Sequence, residues 1–287
     1  MNYQKVKPRI QLAPFIDSIW IQKNDSSYSG TSFPTIVLPT TTIDLVFHFG
    51  DPFVEIDDNG SQHLLPKIYI TGQKTKPLKV KAKGRTGIIL VSFKPWGLFH
   101  LLQIPANEFK DASVPLADII GYERINEIEQ KLIEAQTIDT KVDIMQSFLC
   151  DFLKASDSQT ADRLIIEAAH KINEAKGVKG IAEIREDFFI SKRHFIRRFQ
   201  KVMGLNPKEF SNIIRFQKSL LYTNLQIPVE NIISDLGYYD QSHLLHEVKK
   251  MSGYSRSAIS KKYNSTNLKQ IFNSTHDMAL FYNTIYL

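Results

Sequence analysis

Residues 180–202, GIAEIREDFFISKRHFIRRFQKV, constrain this chain more than any other stretch. Ser191 carries a hydroxyl suited to accept from the backbone N–H groups of a first helical turn. Phe195, Phe199 and Val202 follow at spacings of four and three, which gathers them on one face of a helix. Lys192, Arg193, Arg197, Arg198 and Lys201 occupy the rest, with no acidic residue between Ser191 and Val202. Ile181, Ala182 and Ile184 predict a short helix just upstream, and Ala182 is small enough to let a second helix cross closely.

A lone basic amphipathic helix is most often a solvated surface helix, but here the unit recurs. In residues 228–251, PVENIISDLGYYDQSHLLHEVKKM, Ile233 precedes Ser242 by nine residues, as Ala182 precedes Ser191. Leu244 and Val248 repeat the Phe195 and Phe199 pair, and Lys249 and Lys250 close the helix. Two short helices, the second apolar on one side and cationic on the other, describe a helix-turn-helix with its reading helix. Between the units, PKEFSNIIRFQKSLLYTNL (residues 207–225) predicts a connecting helix, with Pro207 in its first turn and a stripe of Phe210, Ile213, Ile214, Leu220 and Leu221. Nineteen helical residues span about 28 Å, near the roughly 34 Å between successive major-groove faces of B-form DNA.

The charge distribution points the same way. Residues 160–263 hold 18 Lys plus Arg against 11 Asp plus Glu, whereas the rest of the chain holds 18 against 19. The whole basic excess therefore sits in the segment with the paired helices, which implies a polyanionic partner, duplex nucleic acid being the usual one. A membrane surface fits less well, because the basic helices need their apolar faces for a core. No run of eighteen apolar residues marks a membrane span. A single cysteine cannot close an internal disulfide, so a cytoplasmic location is expected.

The first half reads differently. A short helix is expected after Pro14, running into a strand, and residues 24–30 form a polar loop. Ile43, Leu45, Phe47 and Phe49 alternate with Asp44, Val46 and His48 in strand periodicity. Asp57-Asp58-Asn59-Gly60 is a hairpin-type turn. Further strands fall at about 67–71, 77–83 and 87–93, which together predict a curled antiparallel sheet, a sandwich or small barrel. After Pro95-Trp96-Gly97 the pattern turns helical at 98–102, 117–120, 123–135 and 141–155, and another helix spans about 161–175. Ala155-Ser156-Asp157-Ser158 is the linker candidate. The expected architecture is a β-rich domain with C-terminal helices over residues 1–156, an all-α domain with two helix-turn-helix units joined by a long helix over 157–263, and a tail over 264–287. The aromatic, β-favouring end of that tail suggests docking on the protein or on a partner.

These residues resemble the AraC/XylS-type transcription regulators. The resemblance rests on Ala182, Ser191, Arg197, Phe199, Gly204, Pro207, Arg215 and Leu221, then on Ile232, Gly237, Tyr238, Asp240, Ser242, His243, Lys249, Gly253 and Ser255. It covers roughly residues 165–262. LPTTTIDLVFHFG and FKPWGLFHLLQIPANEFKDASVPLADIIG are similar, less specifically, to the cupin-like sensor domain that some members carry. The resemblance implies sequence-specific binding of double-stranded DNA, action on RNA polymerase, adjustment by a small-molecule effector, pairing of two copies, and no catalysis. Carried over by position, it places base reading on Arg193, Ile196 and Arg197 in the first unit, and on Gln241, Ser242, His243 and His246 in the second. Arg donates bidentately to guanine and Gln to adenine, while Ile196 suits a thymine methyl. Lys192, Arg198, Lys201 and Lys249 are then phosphate contacts, which position without reading. The second unit departs from the family at Ile233, Leu244, Val248, His246 and Arg256, which implies weaker binding there.

Other chemistry is sparsely represented. Cys150 lies among apolar residues and reads as core. His48 and His63 belong to no close His/Glu cluster, so no metal or other cofactor is expected. No nucleophile elbow, phosphate-binding glycine loop or zinc-protease motif occurs. The rivals are a cupin-type enzyme fused to a basic adaptor, and a non-specific architectural DNA binder.

Overall fold

The structure, a computed structural model, describes residues 2–24, 35–155, 162–258 and 284–286. Two antiparallel sheets form the first half. The larger comprises β1 (Asn2–Val6), β2 (Ile16–Asn24), β4 (Asp44–His48), β7 (Ile68–Thr71), β9 (Thr86–Phe93) and β10 (Ser113–Pro115), in the order β1-β2-β9-β4-β7-β10. The smaller comprises β3 (Thr35–Val37), β5 (Phe53–Ile56), β6 (Gln62–Leu64), β8 (Leu78–Ala82) and, from the tail, β11 (Thr284–Tyr286), in the order β11-β3-β8-β5-β6. The hairpin expected at residues 57–60 joins β5 to β6, with Gly60 at φ +85° and its N–H donating to the Asp57 carbonyl at 2.9 Å.

The two faces of the larger sheet differ in chemistry. Ile16, Ile19, Ile21, Leu45, Phe47, Ile68, Ile70, Ile89, Val91 and Phe93 share one wholly apolar cluster with the helices. Val46, Tyr69 and Leu90 point the other way, and cluster with Val80, Phe53 and Leu78 of the smaller sheet. β4 is consequently buried on both faces, including Val46 and His48, and not half-solvated as plain alternation suggests. The segment after Pro14 is no helix. It is the end of a turn, in which the Phe15 and Ile16 N–H groups both reach the Leu12 carbonyl at 2.9 Å, and it stops there because Ile16 is already paired with Phe93 in the sheet.

The helices fall close to their expected positions: α1 (Gly97–Leu102), a 3₁₀ turn at Ala106–Phe109, α2 (Ala117–Ile120), α3 (Tyr122–Glu134), α4 (Ile138–Ala155) and α5 (Arg163–Glu174). Then come α6 (Ile181–Glu186), α7 (Lys192–Met203), α8 (Pro207–Asn224), α9 (Val229–Asp235) and α10 (Gln241–Ser252). α3 and α4 cover the larger sheet through Ile125, Ile128, Leu132, Met145, Phe148 and Leu149. Cys150 packs at the edge of this cluster as a partly buried core residue. Among the described residues, no helix is long and apolar enough to cross a membrane.

The halves do not keep separate cores. The cluster on the larger sheet continues without a break into Ile165, Ile172, Ile184, Phe195, Phe199 and Phe210. A second cluster, built on Phe216, Leu220, Ile232, Leu236, Leu244 and Val248, takes in Ile36 and Leu38 from the β3 segment. The residues after Ala155 in the linker candidate, and those after Asn24 in the predicted loop, lie outside the described residues, as does the tail apart from β11.

Phe199 is fully buried, with its ring edge-on to Phe210 at 5.4 Å and tilted against Phe195 at 5.8 Å. Phe199→Ala is expected to cost about 3–5 kcal/mol of stability through the cavity it leaves, read from the urea midpoint. Leu225→Ala, at an exposed position, is expected to stay within about 0.5 kcal/mol of the parent.

Candidate nucleic-acid interface

α7 is bounded as its sequence dictates. The Ser191 hydroxyl accepts from the His194 N–H at 3.3 Å, and Gly204 ends the helix at φ +78°, its N–H donating to the Gln200 carbonyl. Phe195, Phe199, Val202 and Met203 are buried. Since residues i, i+3 and i+4 share a face, that burial turns Arg193, Ile196 and Arg197 outward together. Lys192, Arg193 and Arg197 are exposed, and none has a carboxylate partner among the described residues. Ile196 is half-buried beside them. The residue of α6 that packs inward is Ile184, not Ala182, which is exposed.

The other two cations of α7 are placed differently. Arg198 makes a bidentate pair with Asp162, Nε to Oδ2 at 2.8 Å and a terminal nitrogen to Oδ1 at 2.6 Å. Asp162 also caps α5 by accepting from the Ile165 N–H. Arg198 thus braces α7 against α5 and, in the absence of DNA, spends its guanidinium on Asp162 and not on open solvent. Its partner stands 36 residues away in sequence, beyond the reach of local reading. Lys201 remains exposed, with its ammonium 5.6 Å from the centre of the Phe99 ring in α1.

In the second pair, the residue that caps α10 is Asp240, which accepts from the His243 N–H at 2.7 Å, and the helix closes at Gly253 with φ +75°. Ser242 therefore lies inside the helix and is not the counterpart of Ser191. Counted from the caps, Leu244 and Val248 do match Phe195 and Phe199, but the positions matching Arg193, Ile196 and Arg197 are Ser242, Leu245 and His246. Leu245 is exposed and was not singled out in the sequence; counting from Asp240 would have found it. Gln241, Ser242, His246 and Lys249 are exposed as well. His243 is not: its Nδ1 accepts from the Tyr239 N–H at 3.3 Å, its ring lies edge-on to Tyr238 at 5.4 Å, and Nε2 is 3.8 Å from Glu247. It supports the turn before α10, while part of its ring stays open to solvent.

The connecting helix holds the two pairs. Pro207 opens α8, and Asn206 with Glu209 completes a reciprocal capping box. Its 18 residues extend about 27 Å. Arg215 of α8 reaches Glu247 of α10 at 2.7 Å and lies over the Tyr238 ring at 4.9 Å, with both charged side chains largely buried. Burial pushes the Tyr238 hydroxyl pKa above the ordinary tyrosine range. Arg256 donates from Nε to the Thr223 hydroxyl at 2.9 Å, so this departure from the family pattern ties the segment after α10 to α8.

The sandwich grips the joint between α7 and α8. Gln73, fully buried, donates from Nε2 to the Met203 carbonyl at 2.6 Å, and a Cβ on Gly204 would lie 2.2 Å from that nitrogen, so with φ at +78° any larger residue would be strained and would displace the Gln73 amide. Lys110 pairs with Glu209 of the capping box at 2.6 Å. Farther along, Gln217 of α8 donates to the Pro39 carbonyl at 3.2 Å. Both helical pairs are thus anchored to the first half through a few residues on each side.

Inside the sandwich, one row of side chains crosses the larger sheet: Ser113, Thr71, Asp44, Ser92 and Ser18, each paired in register with the next. Asp44 Oδ1, Ser92 Oγ and Ser113 Oγ are buried; Ser92 stands beside Asp44 and draws its pKa down by hydrogen bonding, and Ser113 Oγ has no partner among the described residues. Lys74 is buried, and its ammonium donates to the Ala112 carbonyl at 3.0 Å. Burial lowers its pKa, against the opposing pull of Glu55, Asp111 and Asp44. His48, on the same face, lies between the Phe53 and Tyr69 rings, with neither ring nitrogen partnered. His63 is elsewhere, on exposed β6, where it pairs with Asp57 at 2.8 Å. The two histidines do not converge, and no group of three metal-ligating side chains occurs among the described residues.

The model family that matches residues 185–262 is described as a helix-turn-helix domain, and the one that matches residues 4–115 as a domain of unknown function. No curated protein matches the chain. Among solved structures, ToxT from Vibrio cholerae O395 aligns over 86% of this chain and 99% of its own, at 14% identity and a TM-score of 0.46. Wild-type ToxT from Vibrio cholerae strain SCE256 with an unsaturated fatty acid bound aligns over 83% and 94%, at 12% identity and a TM-score of 0.46.

The buried ionisable groups of the sandwich give opposite pH dependences. Burial lowers the His48 pKa from 6.5 to about 4, so the folded state refuses a proton that the unfolded chain accepts, and stability falls as pH drops between those values. Burial raises the Asp44 pKa from 3.8 to about 6, so its contribution is present below 3.8 and lost as pH rises through 6. In the parent the two offset each other between pH 4 and 6. Asp44→Asn is expected to lose stability as pH falls across that window and His48→Phe to gain it, each by up to about 3 kcal/mol. Urea midpoints measured from pH 4 to 7 check this; parallel profiles for the two variants would contradict it.

Proposed function

We propose that this chain is a DNA-binding transcription regulator of the AraC type whose two helix pairs read one duplex, a reading supported by the match of residues 185–262 to a helix-turn-helix domain family. The observation that carries the reading is the outward face of α7: Lys192, Arg193 and Arg197 exposed without carboxylate partners, on a helix whose opposite face is buried. Such a surface neutralises phosphates and offers guanidinium forks to guanine edges. The N-terminal end of a reading helix is the part that enters the major groove, and the uncommitted cations stand there. Arg193, Ile196 and Arg197 are assigned to bases in the first unit, and Gln241, Ser242, Leu245 and His246 in the second. Lys192, Lys201 and Lys249 are assigned to phosphate. The second face carries fewer forked donors, which makes it the weaker reader.

Modulation by a small molecule is assigned to the first half, over residues 1–156. What supports it is the polar row within the sandwich, since a buried carboxyl group set among hydroxyls is rare in a finished core. A signal there has a short route to the readers, because Lys74 lies inside the sandwich while its neighbour Gln73 holds the end of α7. Pairing of two copies is assigned to α3, whose Tyr122 and Ile133 stand exposed, and contact with RNA polymerase follows from occupancy of a promoter.

Two substitutions separate the roles. Arg197→Ala is expected to weaken binding to a duplex selected from a random pool by about 1–3 kcal/mol and to blur preference at one base pair. Lys192→Ala is expected to weaken selected and random duplexes alike, and to flatten the slope of log affinity against log salt by about one unit. Equal affinity of the parent for selected and random duplexes would favour an architectural binder.

A further inference from the structure

Phe189 and Tyr239 are the two most exposed large apolar side chains among the described residues, at 99% and 90%. Single exposed apolar residues are ordinary on protein surfaces. These two are set apart by their place: Phe189 stands two residues before the cap of α7, and Tyr239 one residue before the cap of α10. Each reading helix is thus preceded by one unburied aromatic.

The local structure makes the exposure deliberate in the first turn. Phe188 and Ile190 pack against the main cluster, with the Lys171 ammonium over the Phe188 ring at 5.1 Å, and the residue between them is driven outward. Phe189 also takes a left-handed backbone, φ +51°, which a bulky residue adopts only against steric resistance. Counted from the buried isoleucine of the preceding helix, Ile184 or Ile232, the equivalent position in the second turn is Gly237, at φ +61°. There glycine takes the strained conformation without cost, Tyr238 is buried, and one additional residue, Tyr239, supplies the exposed ring. The two turns differ in length and sequence, yet each presents an aromatic. For folding alone, glycine at position 189 would serve better than phenylalanine.

We propose that Phe189 and Tyr239 are DNA-contacting residues, whose rings pack on the deoxyribose edge of the backbone where each reading helix enters the groove. This rests on the DNA-binding reading above. The charges after Phe189 favour a duplex as the occupant: Lys192 and Arg193 follow it within four residues, no acid lies between Ser191 and Val202, and Asp187 ahead of it is paired with Lys171; Tyr239 is followed by the capping Asp240 and then by the neutral donors Gln241 and Ser242. An apolar ring beside cations that hold phosphates matches the C–H surface of the sugars between those phosphates. Because the contact is apolar, its contribution does not depend on counterion release. The Tyr239 hydroxyl has an added option, donation to a phosphate oxygen, which Phe189 lacks.

The test uses the full chain and two duplexes, one selected by the parent from a random pool and one of random sequence. Phe189→Gly is expected to keep or raise the urea midpoint, to lower affinity for both duplexes about tenfold, and to leave the salt slope unchanged. Tyr239→Ala is expected to lower affinity similarly, and Phe189→Tyr to restore it. Variants that bind both duplexes as the parent does would overturn the inference and leave the DNA-binding reading standing. Unchanged DNA affinity with loss of promoter output would also overturn it, by giving the rings to a protein partner. A parent chain that retained no duplex at low salt would overturn the reading and the inference together.

Discussion

The burial of Phe195 and Phe199 decides where every charge on α7 goes. A helix turns through 3.6 residues, so once these two rings lock into the core with Phe210, the remaining positions have no freedom to choose a direction. Arg193, Ile196 and Arg197 emerge on the open side, Arg198 is swung toward Asp162, and Lys201 is laid beside Phe99. The same logic runs through α10, where Leu244 and Val248 are the buried pair and Ser242, Leu245 and His246 the outward set. Specific contacts with a duplex, in this account, are a by-product of apolar packing on the far side of each helix.

The packing also removes independence from the two halves. A regulator whose reading domain swings freely on a linker would keep two separate cores, whereas here Ile165, Phe195 and Phe199 belong to the cluster that covers the larger sheet. Ile36 and Leu38, from the smaller sheet, finish the core of the second pair. Gln73, Lys110 and Pro39 add polar contacts at the two ends of the α7–α8 segment. An effector that shifted the Gln73–Lys74 turn would therefore act on the angle between α7 and α8.

Much of this was legible in the residues. Periodicity located α7, α8, α10 and the strands β2, β4, β7, β8 and β9, because each buries a stripe whose spacing survives in sequence. What escaped depended on partners distant along the chain. β1, NYQKV, carries no alternating pattern and is a strand only because β2 pairs with it. His48 is buried because a second sheet covers it, and Arg198 is committed because Asp162 is folded back upon it. The nine-residue match of Ile233 and Ser242 to Ala182 and Ser191 does not mark the start of α10, because the Asp240 carboxylate caps it and Ser242 lies two residues inside, although Leu244 and Val248 keep the register of Phe195 and Phe199. Leu245 stands out only when positions are counted from Asp240. The tail was expected to dock, and β11 does pair with β3.

The central claim is that two outward helix faces, held apart by α8, occupy neighbouring stretches of groove on one duplex. Selection of bound duplexes from a random pool by the full chain tests it most directly. Two short enriched blocks are expected, their centres about one helical turn, roughly 10 base pairs, apart, with the stronger block belonging to α7 and weakened by Arg197→Ala. A pool that returned a single block unaffected by substitutions in α10, or no enriched sequence at all, would contradict it.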